Sequence, residues 1–309
     1  MWTARAKFAF FNFLLAFIFA CASSQQAKSS SEWKAALSSD KTADGTALLI
    51  RLTPPAGWSS ETDPAISAEW NSKPIVFYKN KRGEQWVFEG IVGIPYDFAP
   101  SAHMVKIQIK EPALTDVEEP PTTWLEVEFE VVKGDYPAEV LFVQPQKIDP
   151  PKKYLKRIMR EVKEIKAVYE KSEGRRLWSN PLVLPVQSAV TSVYGSKRVY
   201  NGRLQNYHSG VDLRAGVGTP IYSPIEGKVV MAKDLYFTGY TVILDHGLGF
   251  FTIYAHMSKL KVKKGAFVKK GQLIGLAGAT GRVSGPHLHW GANIQGVKVS
   301  PMDLMKVLE

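Results

Sequence analysis

The residues able to do chemistry lie in two short runs. One is His208-Ser209-Gly210-Val211-Asp212; the other, about eighty residues later, is Gly285-Pro286-His287-Leu288-His289-Trp290. In an extended strand, residues two apart face the same way, so His287 and His289 are directed into one pocket. Two imidazoles converging on one point suit a metal, and His208 and Asp212 offer a further nitrogen and oxygen. Three protein ligands plus a water form the open tetrahedral arrangement of catalytic zinc, which is the chemistry of a hydrolase. A single histidine in an apolar strand is ordinarily a core residue. Here the histidines cluster in glycine-rich, strand-like segments between 208 and 289, a clustering that core packing does not produce. Spacing alone does not say which of His287 and His289 holds the metal.

Taken together, His208-x-x-x-Asp212, Tyr254-Ala255-His256 and His287-x-His289, the last preceded by Thr280-Gly281-Arg282 and Gly285-Pro286, form a pattern that resembles the lysostaphin/LytM-type zinc metallopeptidases, the M23 family of peptidoglycan endopeptidases. The resemblance covers roughly residues 181 to 303, with the motifs in the family's order. It implies one Zn2+ per chain, held by His208, Asp212 and His289, and it leaves His256 and His287 unligated for catalysis. His287 is then expected to accept a proton from water and pass it to the leaving amine, with His256 on the opposite wall bonding the tetrahedral intermediate. Asn201 and Arg203, on the loop leading to His208, line the substrate groove or are simply solvated. Tyr194 and Tyr254 lend a hydroxyl to the intermediate or pack in the core. His246, in Asp245-His246-Gly247, reads as structural.

The elements that position these residues read as mostly β. From residue 177 to 309, glycine-separated runs predict strands at Ile221–Ser223, Gly227–Ala232, Thr241–Leu244, Phe250–Tyr254, Leu273–Ala277 and His287–Gly291, and the resemblance implies that they form a LytM-type antiparallel β domain. Because every candidate site residue lies in it, this segment is expected to fold and bind metal alone. Residues 150 to 176 read as a helical linker: from Lys152 to Glu173 the apolar residues Leu155, Ile158, Met159, Val162, Ile165 and Tyr169 recur at helical spacing. Residues 32 to 149 hold about six or seven short alternating runs, from Thr46–Leu52 to Ala138–Val143. In one of them Leu125, Val127, Phe129 and Val131 alternate with Glu126, Glu128 and Glu130. That patterning predicts an immunoglobulin-like β-sandwich.

At the front, Arg5 and Lys7 precede the apolar stretch Phe8–Ala20, an export signal spanning residues 1–22, followed by a flexible leader over 23–31. Cys21 is the only cysteine, so no intramolecular disulfide forms. Ile18-Phe19-Ala20-Cys21 matches a lipobox, which would tether the protein to a membrane, while Ala20-Cys21-Ala22 equally matches ordinary signal cleavage. Either reading places the protein in the bacterial envelope, periplasmic or at the cell surface. The formal charge of +10 is uneven: 12 basic and 19 acidic residues from Lys28 to Asp149, then 25 basic and 10 acidic from Lys152 onward. The opposite signs favour docking of the two halves. Without a stacking-aromatic motif, the basic half is not expected to bind nucleic acid; an anionic wall polymer suits it better. The resemblance implies peptidoglycan as the partner, cut at its peptide cross-links, D-alanyl-diaminopimelate and glycyl-glycine bonds fitting equally. The alternative is a catalytically inactive LytM-type activator of a cell-wall amidase.

Overall fold

The computed structural model describes residues 32–112, 121–179 and 181–309. The signal, Cys21 and the leader lie outside the described residues. The fold is mostly β, as its patterning implies.

Two sheets face each other in the N-terminal half. One runs Lys34–Leu37, Ala47–Thr53, Gln85–Gly93, Phe77–Arg82; the other runs Lys41–Ala43, Thr122–Val132, Ser101–Lys110, Ala65–Trp70, Lys73–Pro74. The period-two pattern explains the packing. Val127, Phe129 and Val131 turn inward with Val105, Ile107 and Ile109 against Leu48, Ile50 and Leu52 of the facing sheet, while Glu126, Glu128 and Glu130 stay in water.

The run Ala138–Val143, expected to belong to this sandwich, leaves it. Ala138–Leu141 pairs in parallel with Lys197–Tyr200, which pairs in turn with Arg203–Tyr207. Two of its apolar side chains face solvent, Val140 at 63% and Phe142 at 75% exposure, while Val143 is buried. Backbone pairing to the C-terminal half holds this strand in place.

The C-terminal half is built on one large sheet. Its strand order is Val190–Ser192, Val211–Arg214, His287–Ile294, Phe250–Met257, Gly239–Gly247, Gly227–Leu235 and Phe267–Val268, with Val297–Val299 also pairing to His287–Ile294. Helix Lys152–Tyr169 ends before Glu173 because the Ser172 hydroxyl and the Glu173 amide donate to the Asp245 carboxylate at 2.6 and 2.8 Å. Only the last part of its apolar stripe is used: Ile165, Val168 and Tyr169 pack on Met231, Leu235, Ile243 and Phe251. Leu155, Met159 and Val162 remain exposed. A second helix, Pro301–Val307, is capped by Ser300, whose hydroxyl accepts from the Asp303 amide; no spacing signal announced so short an element.

Aromatic and aliphatic contacts join the halves, beside the ion pairs Arg198–Glu139 and Arg203–Asp149. Ala47, Leu49, Tyr78 and Ile91 of the sandwich share one core with Trp178, Leu213, Phe250 and Trp290. Tyr96 stacks on Tyr207 with ring centroids 3.9 Å apart, and Trp178 meets both Tyr78 and Phe250 edge-on. The Ser300 amide donates to the Gly45 carbonyl at 2.8 Å. Cutting the chain before Leu177 would expose this apolar layer to water, at a cost of roughly 25 cal/mol for each Å² uncovered. The 177–309 fragment should therefore melt well below the full chain or aggregate, contrary to the independence its motifs suggest. Thermal denaturation of both decides the matter; equal midpoints would show that the shared core adds nothing.

Candidate metal centre and groove

Antiparallel pairing assembles the centre. Asp212 lies directly across from His289 in the register of Val211–Arg214 with His287–Ile294, so carboxylate and imidazole project from one face. His208 reaches the same point from the turn before that strand. Gly210 makes the approach possible: a Cβ there would stand 2.4 Å from the Trp290 carbonyl oxygen and 2.8 Å from the His289 ring. His256 arrives by another route. The pairing of Phe250–Met257 with Gly239–Gly247 shifts at Ala255-His256, and His256 adopts φ +63°, a bulge that re-aims its ring. Its centroid lies 4.9 Å from that of His287 and 6.0 Å from that of His289.

The donor atoms form a near-equilateral triangle. Asp212 Oδ1 is 3.0 Å from both His208 Nε2 and His289 Nδ1, and the two nitrogens are 2.9 Å apart. Four-coordinate zinc with bonds of ~2 Å sets its ligand atoms about 3.3 Å apart, so this triangle fits the ion closely. Tautomers agree. His208 Nδ1 is 2.9 Å from the Val193 carbonyl oxygen, which only accepts, so the proton sits on Nδ1 and the Nε2 lone pair faces the triangle. Burial alone would raise the Asp212 carboxyl, but the neighbouring His208 and His289, whose nitrogens stand 3.0 Å from Oδ1, hold it well below the usual carboxylate range. Burial pushes His289 down to about 4. An ionised carboxylate and neutral imidazoles are the states a metal requires.

The other two site histidines share a different arrangement. His287 Nδ1 donates to the Gly285 carbonyl at 2.9 Å, leaving Nε2 as a lone pair without a hydrogen-bond partner, 3.5 Å from Asp212 Oδ1. His256 Nδ1 donates to the Thr280 carbonyl at 2.8 Å, and burial, followed by repulsion from His287 and His289, keeps its pKa well below the ordinary value.

Sequence reasoning missed what braces the carboxylate. Arg198 donates from Nη2 to Asp212 Oδ2 at 2.5 Å and to the Ser192 hydroxyl oxygen at 2.9 Å; Ser192 in turn donates to Glu139 Oε2. Arg198 sits in a strand of mixed character and carries no motif, so nothing in the chain announced it. Beside the centre runs a groove of about 500 Å³, lined by Leu141, Arg198, Tyr200, Arg282, Ser284 and His287 among others. One wall is thus the connecting strand between the halves.

None of the four residues considered for substrate contact lines this groove. Tyr254 is fully buried; its hydroxyl donates to Thr252 Oγ1 at 2.7 Å, and Thr252 donates to His246 Nε2 at 2.8 Å. The Tyr194 hydroxyl is turned to the Lys298 carbonyl at 2.8 Å. Asn201 clamps the backbone of Val143 through both its amide atoms, and Arg203 pairs with Asp149 in solvent. Position near the motif in sequence did not translate into position in the groove. His246 is structural: its Nδ1 donates to the Glu226 carbonyl at 2.6 Å.

Residues 206–301 match the family profile described as Peptidase family M23. The chain is 45% identical over 95 residues to the peptidoglycan DD-endopeptidase ShyA of Vibrio cholerae, covering 31% of this chain and 22% of that protein. It is 39% identical over 127 residues to ShyB of the same organism, covering 40% and 29%. The chain therefore spans less than a third of the length of these curated relatives. A solved structure, a putative peptidase M23 from Pseudomonas aeruginosa, matches 86% of this chain and 95% of its own with a TM-score of 0.61 at 28% identity, so the likeness includes the sandwich half.

Buried histidines make stability pH-dependent. Burial pushes His246 down to about 4. Its unfolded value is ~6.5, so the unfolded chain takes up the proton first. The stabilisation is full above pH ~6.5 and is lost as pH falls toward 4, at about 3 kcal/mol for this group. Metal-free protein should therefore keep its melting temperature from pH 8 to 7 and lose it steeply below 6. A flat profile between pH 7 and 4.5 would contradict the assignment.

Proposed function

From the premise that residues 206–301 form a peptidase family M23 domain, we propose that the protein is a zinc-dependent endopeptidase of the bacterial envelope that hydrolyses peptide cross-links of peptidoglycan. The observation that carries this reading is the triangle of His208 Nε2, Asp212 Oδ1 and His289 Nδ1, flanked by two imidazoles with free lone pairs. An inactive amidase activator would have no use for a complete donor set and would not need both His256 and His287 beside it. The names of the curated relatives, peptidoglycan DD-endopeptidases, favour the same substrate. The charged start and apolar stretch Arg5 to Ala20 favour export, with Cys21 a possible site of lipid attachment.

Zinc bound by these donors supplies a Lewis acid that acidifies water and polarises a peptide carbonyl. The chain's own residues do the rest. His287 Nε2, unpartnered and facing the donor triangle, takes the proton of the attacking water, and the Gly285 carbonyl fixes the tautomer that makes this possible. His256 Nε2 is basic for the same reason and becomes a donor to an oxyanion only once protonated. Either imidazolium can deliver its proton to the leaving amine. Arg198 keeps Oδ2 of Asp212 occupied so that Oδ1 stays directed at the ion.

His208→Ala and His289→Ala should each abolish tight zinc binding, since two remaining ligands cannot hold the ion against water. Elemental analysis checks this; full zinc occupancy in His289→Ala with loss in His287→Ala would reverse the ligand assignment. By contrast, His287→Ala and His256→Ala should retain zinc and lose on the order of 10² to 10⁴ in rate. The assay is digestion of purified sacculi with mass spectrometry of the released muropeptides. Intact cross-links after treatment with zinc-loaded protein would refute the endopeptidase reading.

A further inference from the structure

We propose that Arg282 binds a free carboxylate of the substrate peptide, close to the scissile bond; this rests on the endopeptidase reading and adds a recognition element to it. The geometry points there because Arg282 is a half-buried guanidinium in the groove wall that is positioned by rings and answered by no acid. Its Cζ lies 4.7 Å from the centroid of Tyr200 and 4.8 Å from that of Phe237, and its backbone amide donates to the Phe237 carbonyl at 2.7 Å. Neither ring contact is a hydrogen bond, and no side chain or carbonyl among the described residues accepts from the guanidinium N–H donors of Arg282.

The contrast with Arg198 is informative. That guanidinium lines the same groove, but its charge is met by Asp212 at 2.5 Å and Glu139 at 3.5 Å. No carboxylate among the described residues pairs with Arg282. Burial and the nearby positive Arg198 both disfavour its charged form. A guanidinium does not give up its proton at physiological pH, so this cost is carried in the free protein and is relieved when an anion arrives. With a divalent cation at the donor triangle taking up the Asp212 charge, the groove holds surplus positive charge.

The ligand chemistry follows from shape and location. Arg282 and His287 line one groove of about 500 Å³ and stand five residues apart in the same glycine-bearing loop and strand. A planar carboxylate within a residue or two of the cleaved bond reaches the guanidinium edge while the carbonyl lies at the centre, and two parallel N–H···O bonds give the pair its direction. Lysine would supply charge without that fork. The substrate class is thus a cross-linked peptide with an ionised carboxylate beside the scissile bond, and its carboxamide is the discriminated analogue.

The test uses zinc-loaded full-length protein and matched soluble cross-linked peptides in which each free carboxylate in turn is converted to the carboxamide. One amidation should lower kcat/KM by about ten- to a hundredfold, chiefly through KM, as loss of a charge-assisted pair made in both ground and transition states requires. In Arg282→Gln the acid-to-amide ratio should fall close to one, and Arg282→Lys should recover part of it. Equal hydrolysis of acid and amide peptides by the unaltered protein would overturn the proposal, as would an undiminished preference in Arg282→Gln. If that variant melts much lower because Arg282 braces Tyr200 and Phe237, the acid-to-amide comparison in the unaltered protein decides alone. Hydrolysis of none of the peptides would count against the endopeptidase reading instead. Calorimetric titration of the metal-free protein with the same acid and amide peptides would then decide for or against Arg282.

Discussion

The Asp212 carboxylate is the constraint around which the C-terminal half is arranged. Its two oxygens have separate duties: Oδ2 is held by Arg198, while Oδ1 lies within 3.5 Å of the inward nitrogens of His208, His289 and His287. A buried carboxylate would ordinarily be expensive, and a single arginine would satisfy it only on one side. The unequal use of the two oxygens resolves this, since one is neutralised by the protein and the other left electron-rich for a cation. Strand pairing makes the arrangement rigid. Asp212 and His289 are cross-strand neighbours in the middle of a sheet, so neither can move without breaking backbone hydrogen bonds on both sides.

That constraint extends beyond residues 206–301. Arg198 is positioned by its strand, whose other neighbour is Ala138–Leu141, and Glu139 of that strand reaches both Arg198 and Ser192. The strand enters from a loop anchored at Asp44, a fully buried carboxylate that accepts from the Asp97 and Gly134 amides at 2.6 Å and pairs with Lys133. A chain of contacts therefore runs from the interior of the sandwich to the His208–Asp212–His289 triangle. The boundary drawn from composition at Pro150 separates two patterns of residues but does not separate the chemistry.

How much of this was legible follows from range. The shared face of His287 and His289 and the grouping of His208 with Asp212 could be read because they depend on the two-residue period of a strand and on short spacings, which the chain displays directly. The glutamate alternation of Thr122–Val132 was readable for the same reason. Arg198, Glu139 and Ser192 were invisible because they meet only through a parallel pairing between strands almost sixty residues apart. Tyr254 and Tyr194 were candidates because they flank the motifs, yet their hydroxyls are committed to Thr252 and to the Lys298 carbonyl. Residues next to a motif in sequence are, on alternating strands, as often behind the sheet as in front of it. The helix stripe misled differently: spacing predicts which residues share a face, but not whether a partner covers Leu155, Met159 and Val162.

The two auxiliary histidines show how backbone can set chemistry. Both give their Nδ1 protons to carbonyl oxygens, of Gly285 and Thr280, so both present Nε2 as a base in the resting state. A division of labour into one base and one permanent oxyanion donor is therefore not built into the free protein. The two rings differ instead in their surroundings. His256 is fully enclosed, stands close to two other imidazoles and has a depressed pKa, all of which disfavour the cation there. His287 is less enclosed and stands 3.5 Å from the Asp212 carboxylate. The two rings thus present the same tautomer from unlike surroundings, and His256 is held in a left-handed bulge at φ +63°.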